Sequence, residues 1–339
     1  MPWVPRGSQQ PADWGLESIE TSRWRRRFVV SRNSWKKAEP FGACLRPFSA
    51  ALQMGVLSLW LAASLLSGHP DSLDLSIKSY ARSLQPGEVV RLTVESPKPL
   101  LSLEARVFER TFSGHPASPL VWNVLVGVDL DTSAGSQDVV LAGTLESGED
   151  FSQNYRLVIE DKVFPTRRLT VDTKYVNPPA EVLKRIREES QRTRRIFAAI
   201  TSSRLWAAPF TAPVPGPANS SFGKRSILNG QPRSPHSGTD FSGPTGTPVE
   251  APNSGRVVLV GDLYYSGNTV IVDHGLGLYS YFAHLSRTLV TEGQILEQGD
   301  VLGEIGATGR VTGPHLHWAV RLNRTRVDPL SLIAVSGGE

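Results

Sequence analysis

Short runs of alternating apolar and polar residues constrain the fold of this chain more than any other feature of its sequence. The run at 90–94 alternates three apolar residues with Arg91 and Thr93, and similar runs occupy 101–107 and 124–130. Successive side chains of a β-strand point to opposite faces, so this period of two predicts strands with one buried face. The chain also contains 30 glycines and 25 prolines, which favours many turns over a helical bundle. We therefore predict a mainly β fold.

The alternating runs predict an N-terminal domain over 71–176. They are short and are separated by turn residues such as Pro86-Gly87, which is typical of a β-sandwich of immunoglobulin-like size. This region shows no group of residues with an evident catalytic arrangement. Its histidine, His115, stands between a glycine and a proline and is interpreted as a solvated loop residue.

A connecting helix is predicted over 180–200, because apolar residues recur there at helical spacing after Pro178 and Pro179. The opposite face is densely charged and could contact an anionic wall polymer or a membrane, but we interpret it as a solvated surface. Four prolines between 209 and 217 predict a semi-rigid linker, so 178–220 is interpreted as a helix and a proline-rich linker. Because this segment precedes the histidine-rich region, we also hypothesise that it folds back and blocks that region.

An uncharged apolar run at 48–66 predicts export from the cytoplasm. It contains nineteen residues and follows Lys36, Lys37 and Arg46, and its length suits a signal peptide or one membrane-spanning helix over 48–68. The positive charge before it places the N-terminus in the cytoplasm and the remainder outside. We therefore predict a protein of the cell envelope, periplasmic or extracellular, which is either secreted or anchored in the membrane by 48–66 if that run is not cleaved.

The basic character of the chain is concentrated in the leader at 1–47, which is interpreted as disordered or as preceding the true start codon. The leader holds nine basic and four acidic residues, a net charge of +5, whereas the whole chain carries +4. The remainder is therefore close to neutral, which argues against nucleic acid as a partner of the folded part. The one cysteine, Cys44, also lies in the leader, so no intrachain disulfide can form.

Histidines are concentrated in the last third of the chain, from residue 221 onward. Neutral imidazoles together with a carboxylate suit a zinc ion, and His236 and Asp240 offer both groups within the sequence HSGTD. Pro235 and Gly238 argue against a helix at this point, so we expect an extended or turning segment that brings both side chains to one site.

The sequence HLH at 315–317 supplies two further imidazoles. Residues two apart on a strand project from one face, so His315 and His317 are expected to face one site while Leu316 faces the core. This spacing leaves open which of the two histidines binds a metal. His284, in the sequence HLS, becomes a functional candidate because of these neighbours, whereas His274 precedes a glycine turn and is interpreted as structural.

These motifs occur in an order that resembles the M23 (lysostaphin/LytM-like) metallopeptidases. Taken together they are specific, although each alone is a weak signal. The resemblance covers about 222–332 and implies a C-terminal antiparallel β-sheet peptidase domain over 221–333. It also implies a β-rich domain upstream. It rests on Phe222-Gly223, Asn229-Gly230, His236-Ser237-Gly238-Thr239-Asp240, His284-Leu285-Ser286, Gly306, Gly309 and Gly313-Pro314-His315-Leu316-His317.

The resemblance implies a role for each site residue. His236, Asp240 and His317 are expected to hold one zinc ion, and His315 and His284 are expected to act on the substrate. His315 would accept the proton of the attacking water and pass it to the leaving amine. His284 would orient the substrate or stabilise the oxyanion. The implied activity is that of a zinc metalloendopeptidase that cleaves peptide cross-links of bacterial peptidoglycan, and we expect a cross-link that contains D-amino acids.

Three other functions remain as alternatives. The same fold can serve as a non-catalytic envelope protein that activates another wall hydrolase, but the complete set of five site residues argues against this. A D-alanyl-D-alanine carboxypeptidase with a different zinc site would need a longer spacing between the first histidine and the aspartate. The N-terminal domain and the helix could instead act as a scaffold, although nothing in 71–176 supports this chemically.

Overall fold

The computed structural model describes residues 73–170, 176–207, 209–219 and 221–337. The basic leader and the apolar run at 48–66 lie outside these ranges. The described residues form twenty strands and two α-helices, which confirms the prediction of a mainly β fold. Neither of these two helices has the length and apolar composition needed to cross a bilayer.

Seven strands form the N-terminal sheet in the order β1-β2-β5-β4-β3-β6-β7. They are β1 (Ser76–Tyr80), β2 (Val89–Glu95), β3 (Leu100–Val107), β4 (Arg110–Ser118), β5 (Val121–Gly127), β6 (Gly135–Leu145) and β7 (Asp150–Ile159).

The N-terminal sheet is barrel-like, because its two edge strands approach each other. Leu75, next to β1, exchanges two hydrogen bonds with the Gln153 amide of β7, at 2.9 and 3.2 Å, and the Tyr155 hydroxyl donates to Ser79 Oγ at 3.0 Å. Strand β4 pairs with both β3 and β5, so the expected immunoglobulin-like sandwich takes the form of one continuous, curved sheet. The alternating runs bury one face, as predicted, except at Leu101, which is 66% exposed where the pairing of β3 with β6 shifts register.

His115 is not a solvated loop residue. It lies on β4, where its ring packs edge-on against Trp206 with 5.5 Å between the ring centroids. Burial, together with the nearby Arg204 and Arg91, lowers the pKa of His115 to about 4. The Gly-His-Pro sequence suggested a turn because the sequence cannot show that a distant tryptophan covers this face of the sheet.

A small sheet and a helix connect the two large sheets. Strand β8 (Thr166–Leu169) pairs in parallel with a later strand, a 3₁₀ turn covers Ala180–Val182, and α1 (Leu183–Ala198) follows it. Helix α1 therefore lies within the predicted range of 180–200. Its apolar side packs on the C-terminal sheet, with 5.6 Å between the ring centroids of Phe197 and Tyr279.

The charged face of α1 is not simply solvated, because three of its side chains contact the C-terminal sheet. Arg185 pairs with Asp262 at 3.1 Å and Arg192 pairs with Glu292 at 2.5 Å. Glu189 accepts a hydrogen bond from the backbone N–H of Tyr264 at 2.9 Å. Arg185 and Arg192 are nevertheless 45% and 49% exposed, so this face is a solvated surface, as interpreted from the sequence, and also forms ion pairs with neighbouring residues.

The remaining strands build the C-terminal region. They are β9 (Ala218–Asn219), β10 (Arg225–Leu228), β11 (Gln231–Pro232), β12 (Thr239–Ser242), β13 (Pro248–Glu250), β14 (Gly255–Leu263), β15 (Gly267–Gly275), β16 (Leu278–Thr288), β17 (Ile295–Leu296), β18 (Val301–Ile305), β19 (His315–Leu322) and β20 (Thr325–Val327), followed by α2 (Pro329–Ser336).

The main C-terminal sheet has ten antiparallel strands, and its central path runs β17-β14-β15-β16-β19-β12-β9. Along β19, Leu316, Trp318 and Val320 are fully buried on one face. The alternate positions of β19, among them His315 and His317, therefore lie on the opposite face. Most buried residues of this sheet form one continuous core with those of the N-terminal sheet, so the two sheets stabilise each other. Leu259, Ile271 and Tyr279 form a separate cluster that packs against α1.

A charged network joins the N-terminal sheet to α2. Arg82 donates to Glu88 at 2.7 Å and to Asp328 at 2.6 Å. The side chains of Glu88 and Asp328 are only 1% and 8% exposed. Asp328 also caps the N-terminus of α2 by accepting from the Leu330 N–H at 3.0 Å. Arg82 therefore neutralises two buried carboxylates at the junction.

We expect Arg82→Met to lower the free energy of unfolding by about 2–3 kcal/mol, because it leaves buried carboxylates without their main partner. The lower end of the range reflects Lys162, whose Nζ lies 3.5 Å from Glu88. Urea denaturation followed by circular dichroism measures the change. The matched control is Lys78→Met, which removes an exposed pair with Glu95 and should cost less than about 1 kcal/mol. Equal losses for both variants would contradict a structural role for the network.

Candidate metal centre

The predicted site residues come together on one face of the C-terminal sheet. His315 and His317 alternate along β19 with the buried residues Leu316 and Trp318, so both imidazoles face away from the core. Strand β12 runs antiparallel beside β19 and places Asp240 directly opposite His317. Directly opposite residues on neighbouring strands have their side chains on the same face, which brings the carboxylate to the imidazole.

His236 reaches the same point from the segment that precedes β12. Its backbone N–H donates to Lys224 O at 3.0 Å, and its carbonyl accepts from the Gly223 N–H at 2.7 Å. These two hydrogen bonds hold the segment in an extended form, as expected from Pro235 and Gly238. The HSGTD sequence is therefore a short arm that enters β12.

Three donor atoms converge in a geometry that a metal ion can use. His236 Nε2 lies 3.1 Å from Asp240 Oδ1 and 3.0 Å from His317 Nδ1, and His317 Nδ1 lies 2.9 Å from Asp240 Oδ1. Among the described residues these three side chains form a group that could hold a metal ion. Tetrahedral zinc with bonds of about 2.0–2.1 Å to such donors separates them by about 3.4 Å, so small shifts suffice to fit it.

Hydrogen bonds fix which nitrogen of His236 is free to bind. Its Nδ1 lies 3.1 Å from the carbonyl oxygen of Ser221, which can only accept, so Nδ1 carries the proton. The lone pair is then on Nε2, the atom that faces Asp240 and His317. The Ser221 hydroxyl also lies 3.1 Å from Nδ1 and donates to Asp240 Oδ2 at 3.4 Å. Partners of this kind orient metal ligands and set their tautomer.

The protonation states of the cluster suit a cation. Burial alone would raise the pKa of Asp240, but the close His236 and His317 imidazoles outweigh it and hold this pKa far below its usual range. Burial lowers the pKa of His317, although Asp240 opposes the effect. The group therefore offers an ionised carboxylate at Asp240 and, at His317, an imidazole whose neutral form is favoured by burial, the forms that metal ions bind.

His284 enters the site through an irregularity in β16. The pairing of β15 with β16 shifts register between Asn268 and Val270, and His284 itself adopts a left-handed backbone with φ of 64°. A bulge of this kind re-aims a side chain. The His284 ring lies 4.9 Å from that of His315 and 6.0 Å from that of His317, measured between centroids.

The two histidines outside the donor group share one tautomer. His284 Nδ1 donates to Thr308 O at 2.9 Å, and His315 Nδ1 donates to Gly313 O at 2.9 Å. Because carbonyls only accept, each imidazole keeps its lone pair on Nε2. Burial lowers the pKa of His284 to about 4, although its bond to Thr308 opposes the shift. His284 is therefore neutral at physiological pH.

Several residues that support the site were not identified from the sequence. Ser221 and Thr308 hold the imidazoles of His236 and His284 through backbone carbonyls, which leave no residue-specific signal in the sequence. Arg321 lies on β19, four residues after His317. It donates hydrogen bonds to the carbonyl and hydroxyl oxygens of Ser237 at 3.2 and 2.9 Å. Burial lowers its pKa to about 10. The alternation along β19 could have placed Arg321 on the site face.

Helix α1 lies on the same face of the sheet as the metal centre. The Phe197 ring is 6.4 Å from that of Tyr281, which in turn is 6.5 Å from that of His317. The guanidinium of Arg321 lies 5.6 Å from the Phe197 ring. The end of the helix therefore forms a wall beside the site.

His274 lies elsewhere, as its structural interpretation requires. It is fully buried, with Nδ1 2.8 Å from Ser254 O and Nε2 2.9 Å from Ser280 Oγ. Both ring nitrogens are thus satisfied within the core, and neither faces the metal centre.

Gly238 controls how closely the HSGTD arm approaches β19. A Cβ atom at this position would lie 2.6 Å from Trp318 O and 2.7 Å from His317 Cε1. We expect Gly238→Ala to displace His317 and weaken zinc binding by about 10–100-fold, the range typical of changes to supporting residues. Competition with a fluorescent chelator measures the affinity. Gly261→Ala, where a Cβ meets no atom within 4 Å, is the control. If Gly238→Ala left the zinc affinity unchanged, the HSGTD arm would be able to move away from β19 without weakening zinc binding.

Comparison with known proteins gives a consistent result. The sequence profile of peptidase family M23 matches residues 234–329. A crystal structure of a protein assigned to peptidase family M23, from Pseudomonas aeruginosa, is 32% identical, with a TM-score of 0.59, and covers 75% of this chain and 96% of that chain.

Two curated relatives match over the C-terminal region alone. Peptidoglycan DD-endopeptidase ShyA of Vibrio cholerae is 48% identical over 84 residues, 25% of this chain and 20% of that protein. DD-carboxypeptidase/endopeptidase Mpg of Neisseria meningitidis is 41% identical over 97 residues, 29% of this chain and 22% of that protein. The matched part is thus about a fifth of the length of these relatives.

Proposed function

The chain belongs to peptidase family M23, and from this membership we propose that it is a zinc metalloendopeptidase that cleaves peptide cross-links of bacterial peptidoglycan. The observation that carries the proposal is the convergence of His236 Nε2, His317 Nδ1 and Asp240 Oδ1 beside the imidazoles of His284 and His315. Three protein donors leave a further position open, which is typical of catalytic rather than structural zinc sites.

Zinc fits this donor set of two imidazoles and one carboxylate. A bound zinc ion would supply Lewis-acid polarisation of a carbonyl and a lowered pKa for a water molecule. The negative charge of Asp240 offsets only part of the charge of a divalent ion. The site would therefore remain positive, which favours a substrate that develops negative charge during hydrolysis.

His315 is proposed as the general base. Its Nδ1–H is held by Gly313 O, which leaves Nε2 as a proton acceptor on the site face. It would take a proton from the attacking water and return it to the leaving amine, so that one peptide bond and one water become a carboxylate and an amine. Such proton transfer requires an imidazole of fixed orientation. The hydrogen bond from His315 Nδ1 to the Gly313 carbonyl provides this restraint.

His284 is proposed to orient the substrate. In its neutral tautomer, Nε2 has a lone pair and no hydrogen, so it accepts a hydrogen bond rather than donating one to an oxyanion. This supports the orienting role over the oxyanion role among the two that the sequence suggested. Its pKa of about 4 keeps it in this form at neutral pH.

The substrate proposal rests on the similarity to ShyA and Mpg, both named for action on DD bonds. Cross-links that contain D-amino acids are therefore our preferred substrate. Such a substrate places the chain in the cell envelope. We further propose that 48–66 exports or anchors the chain, and that 71–176, 178–220 and 221–333 act as a β domain, a connecting segment and a peptidase domain.

The proposal is tested by incubating the full-length, zinc-loaded chain with purified cross-linked peptidoglycan and separating the muropeptides. We expect cross-linked dimers to disappear and monomers to appear, and a chelator to stop the reaction. Release of terminal D-alanine without loss of dimers would instead favour a carboxypeptidase, the other activity in the name of Mpg. A zinc-loaded chain that changes neither would favour the non-catalytic regulator of another wall hydrolase.

A further inference from the structure

Two loops meet beside His284 and hold it from both sides. Ser266, in the β14–β15 turn, accepts a hydrogen bond from the His284 backbone N–H at 2.8 Å, and Thr308, between β18 and β19, accepts from its Nδ1. The loops also contact each other, since the Asn268 N–H donates to Thr308 Oγ1 at 3.0 Å. A Cβ at Gly267 would lie 2.3 Å from that Oγ1, so this contact requires glycine.

Arg310 and Tyr265 face each other where these loops meet, and we call them the rim pair. The Arg310 backbone N–H donates to Tyr265 O at 2.8 Å. The guanidinium carbon lies 4.5 Å from the centroid of the Tyr265 ring, within the range of a cation–π interaction. Both residues are exposed. The backbone bond and the stacking together fix the position of the guanidinium.

The rim pair has unused hydrogen-bonding capacity. Among the described residues, no carboxylate forms an ion pair with Arg310, unlike Arg185, Arg192 and Arg287. The guanidinium carbon lies over the Tyr265 ring, and among the same residues the Arg310 side chain donates no hydrogen bond, so its N–H groups are free to bind a ligand. The N–H edge of a guanidinium matches the two oxygens of a carboxylate, which it can bind with two parallel hydrogen bonds.

The rim pair lies close to the reacting centre. Ser266 and Thr308 are the two residues that hold His284. In the sequence, Tyr265 is adjacent to Ser266, and Arg310 is two residues after Thr308. Consecutive Cα atoms are about 3.8 Å apart, so the Arg310 backbone lies within about 8 Å of Thr308, whose carbonyl holds His284, and a peptide of a few residues can span this distance. A substrate bound at the metal centre can therefore reach the rim pair.

We propose that the rim pair is a subsite for a carboxylate of the substrate. Arg310 binds the carboxylate through its N–H edge, and Tyr265 holds the guanidinium in place beforehand, which lowers the entropic cost of binding. The inference rests on the proposed function and deepens it. The substrate class becomes peptides with a free carboxylate, at a chain end or on a side chain, within a few residues of the bond cleaved.

The test uses two synthetic cross-linked peptides with D-alanine at the scissile bond. They differ only in that the acceptor residue beside this bond carries either a free carboxylate or a carboxamide. Hydrolysis by the zinc-loaded full chain gives kcat/KM. Fluorescence anisotropy of labelled peptides with the zinc-free chain gives Kd, and the absence of zinc prevents direct binding of the carboxylate to the metal.

The wild-type chain should prefer the free carboxylate by about tenfold or more in both measurements, as a charge-assisted pair predicts. Arg310→Met should reduce the preference to within about twofold, because KM for the free-carboxylate peptide rises toward that for the carboxamide. Arg310→Lys should retain part of the preference, because it keeps the charge but loses the planar edge. Arg156→Met, at an exposed arginine of β7, is the control and should retain all of it.

The outcomes separate the subsite from the activity. Equal hydrolysis of both peptides by the wild-type chain, or a preference that survives in Arg310→Met, overturns the subsite and leaves the proposed function in place. Absence of hydrolysis with carboxylate-dependent binding that Arg310→Met abolishes supports the subsite and overturns the proposed function. Loss of both hydrolysis and carboxylate-dependent binding in the wild-type chain overturns both.

Discussion

Replacing Asp240 by alanine will remove zinc from the chain and lower the rate of cross-link hydrolysis by more than about a thousandfold. Asp240 Oδ1 lies 3.1 Å from His236 Nε2 and 2.9 Å from His317 Nδ1, so its loss leaves two imidazoles and no carboxylate to hold a divalent ion. A metal ion at such a site stabilises the transition state by several kcal/mol. Each 1.36 kcal/mol changes the rate tenfold.

Zinc content by mass spectrometry of metals and dimer loss from peptidoglycan are measured on the same preparation. The control is Asp138→Ala, which changes an exposed aspartate of β6 with a long contact to Arg156 and should leave both values unchanged. Circular dichroism shows whether the fold persists in the Asp240→Ala variant. If that variant kept zinc and full activity, Asp240 would not be a ligand and the metal centre as proposed would be wrong.

His315→Ala is expected to lower the hydrolysis rate by about a hundredfold to ten-thousandfold and to leave zinc bound. A positioned general base contributes a factor of this size. His315 lies on the same face as His317, but its Nδ1 is engaged by Gly313 O, and it is not part of the three-residue donor group. The loss should appear in kcat, because the residue acts in the transition state and not in ground-state binding.

The comparison of the two variants separates the roles of the HLH histidines. Asp240→Ala should lose zinc and activity together, whereas His315→Ala should lose activity alone. A His315→Ala variant without zinc would assign His315 to the metal and contradict its role as a base. A variant with both zinc and full activity would transfer the proton-accepting role to another group, for which His284 is the nearest candidate in space.

Helix α1 links the connecting segment to the catalytic face. Glu189 binds the Tyr264 N–H, and Arg185 binds the Asp262 carbonyl at 2.8 Å, so α1 holds the β14–β15 turn. That turn contains Ser266, which binds the His284 backbone. The contacts of α1 thus support the site from its side. The hypothesis that the whole segment 178–220 blocks the cleft remains a prediction, which truncation near residue 220 would test.

Local periodicity determined much of the prediction from sequence. Alternation of apolar and polar residues depends only on side chains two positions apart. The strands could therefore be predicted from local runs of sequence, and the shared face of His315 and His317 from the HLH sequence alone. The HSGTD arm was likewise expected to be extended, because proline and glycine act on the backbone next to them. The excess of basic residues in the leader also followed from the sequence, because counting charged residues requires no knowledge of the fold.

Tertiary structure decided which of these strands are neighbours. Asp240 lies next to His317 although 77 positions separate them in the sequence. Their contact depends on the pairing of β12 with β19, which is determined by backbone hydrogen bonds and shared core packing. The left-handed bulge that aims His284, and the curvature that closes the N-terminal sheet, have the same origin. The residues of the metal centre were visible in the sequence because side-chain chemistry is local. Their convergence was decided by strand pairing, which is a long-range property of the whole fold.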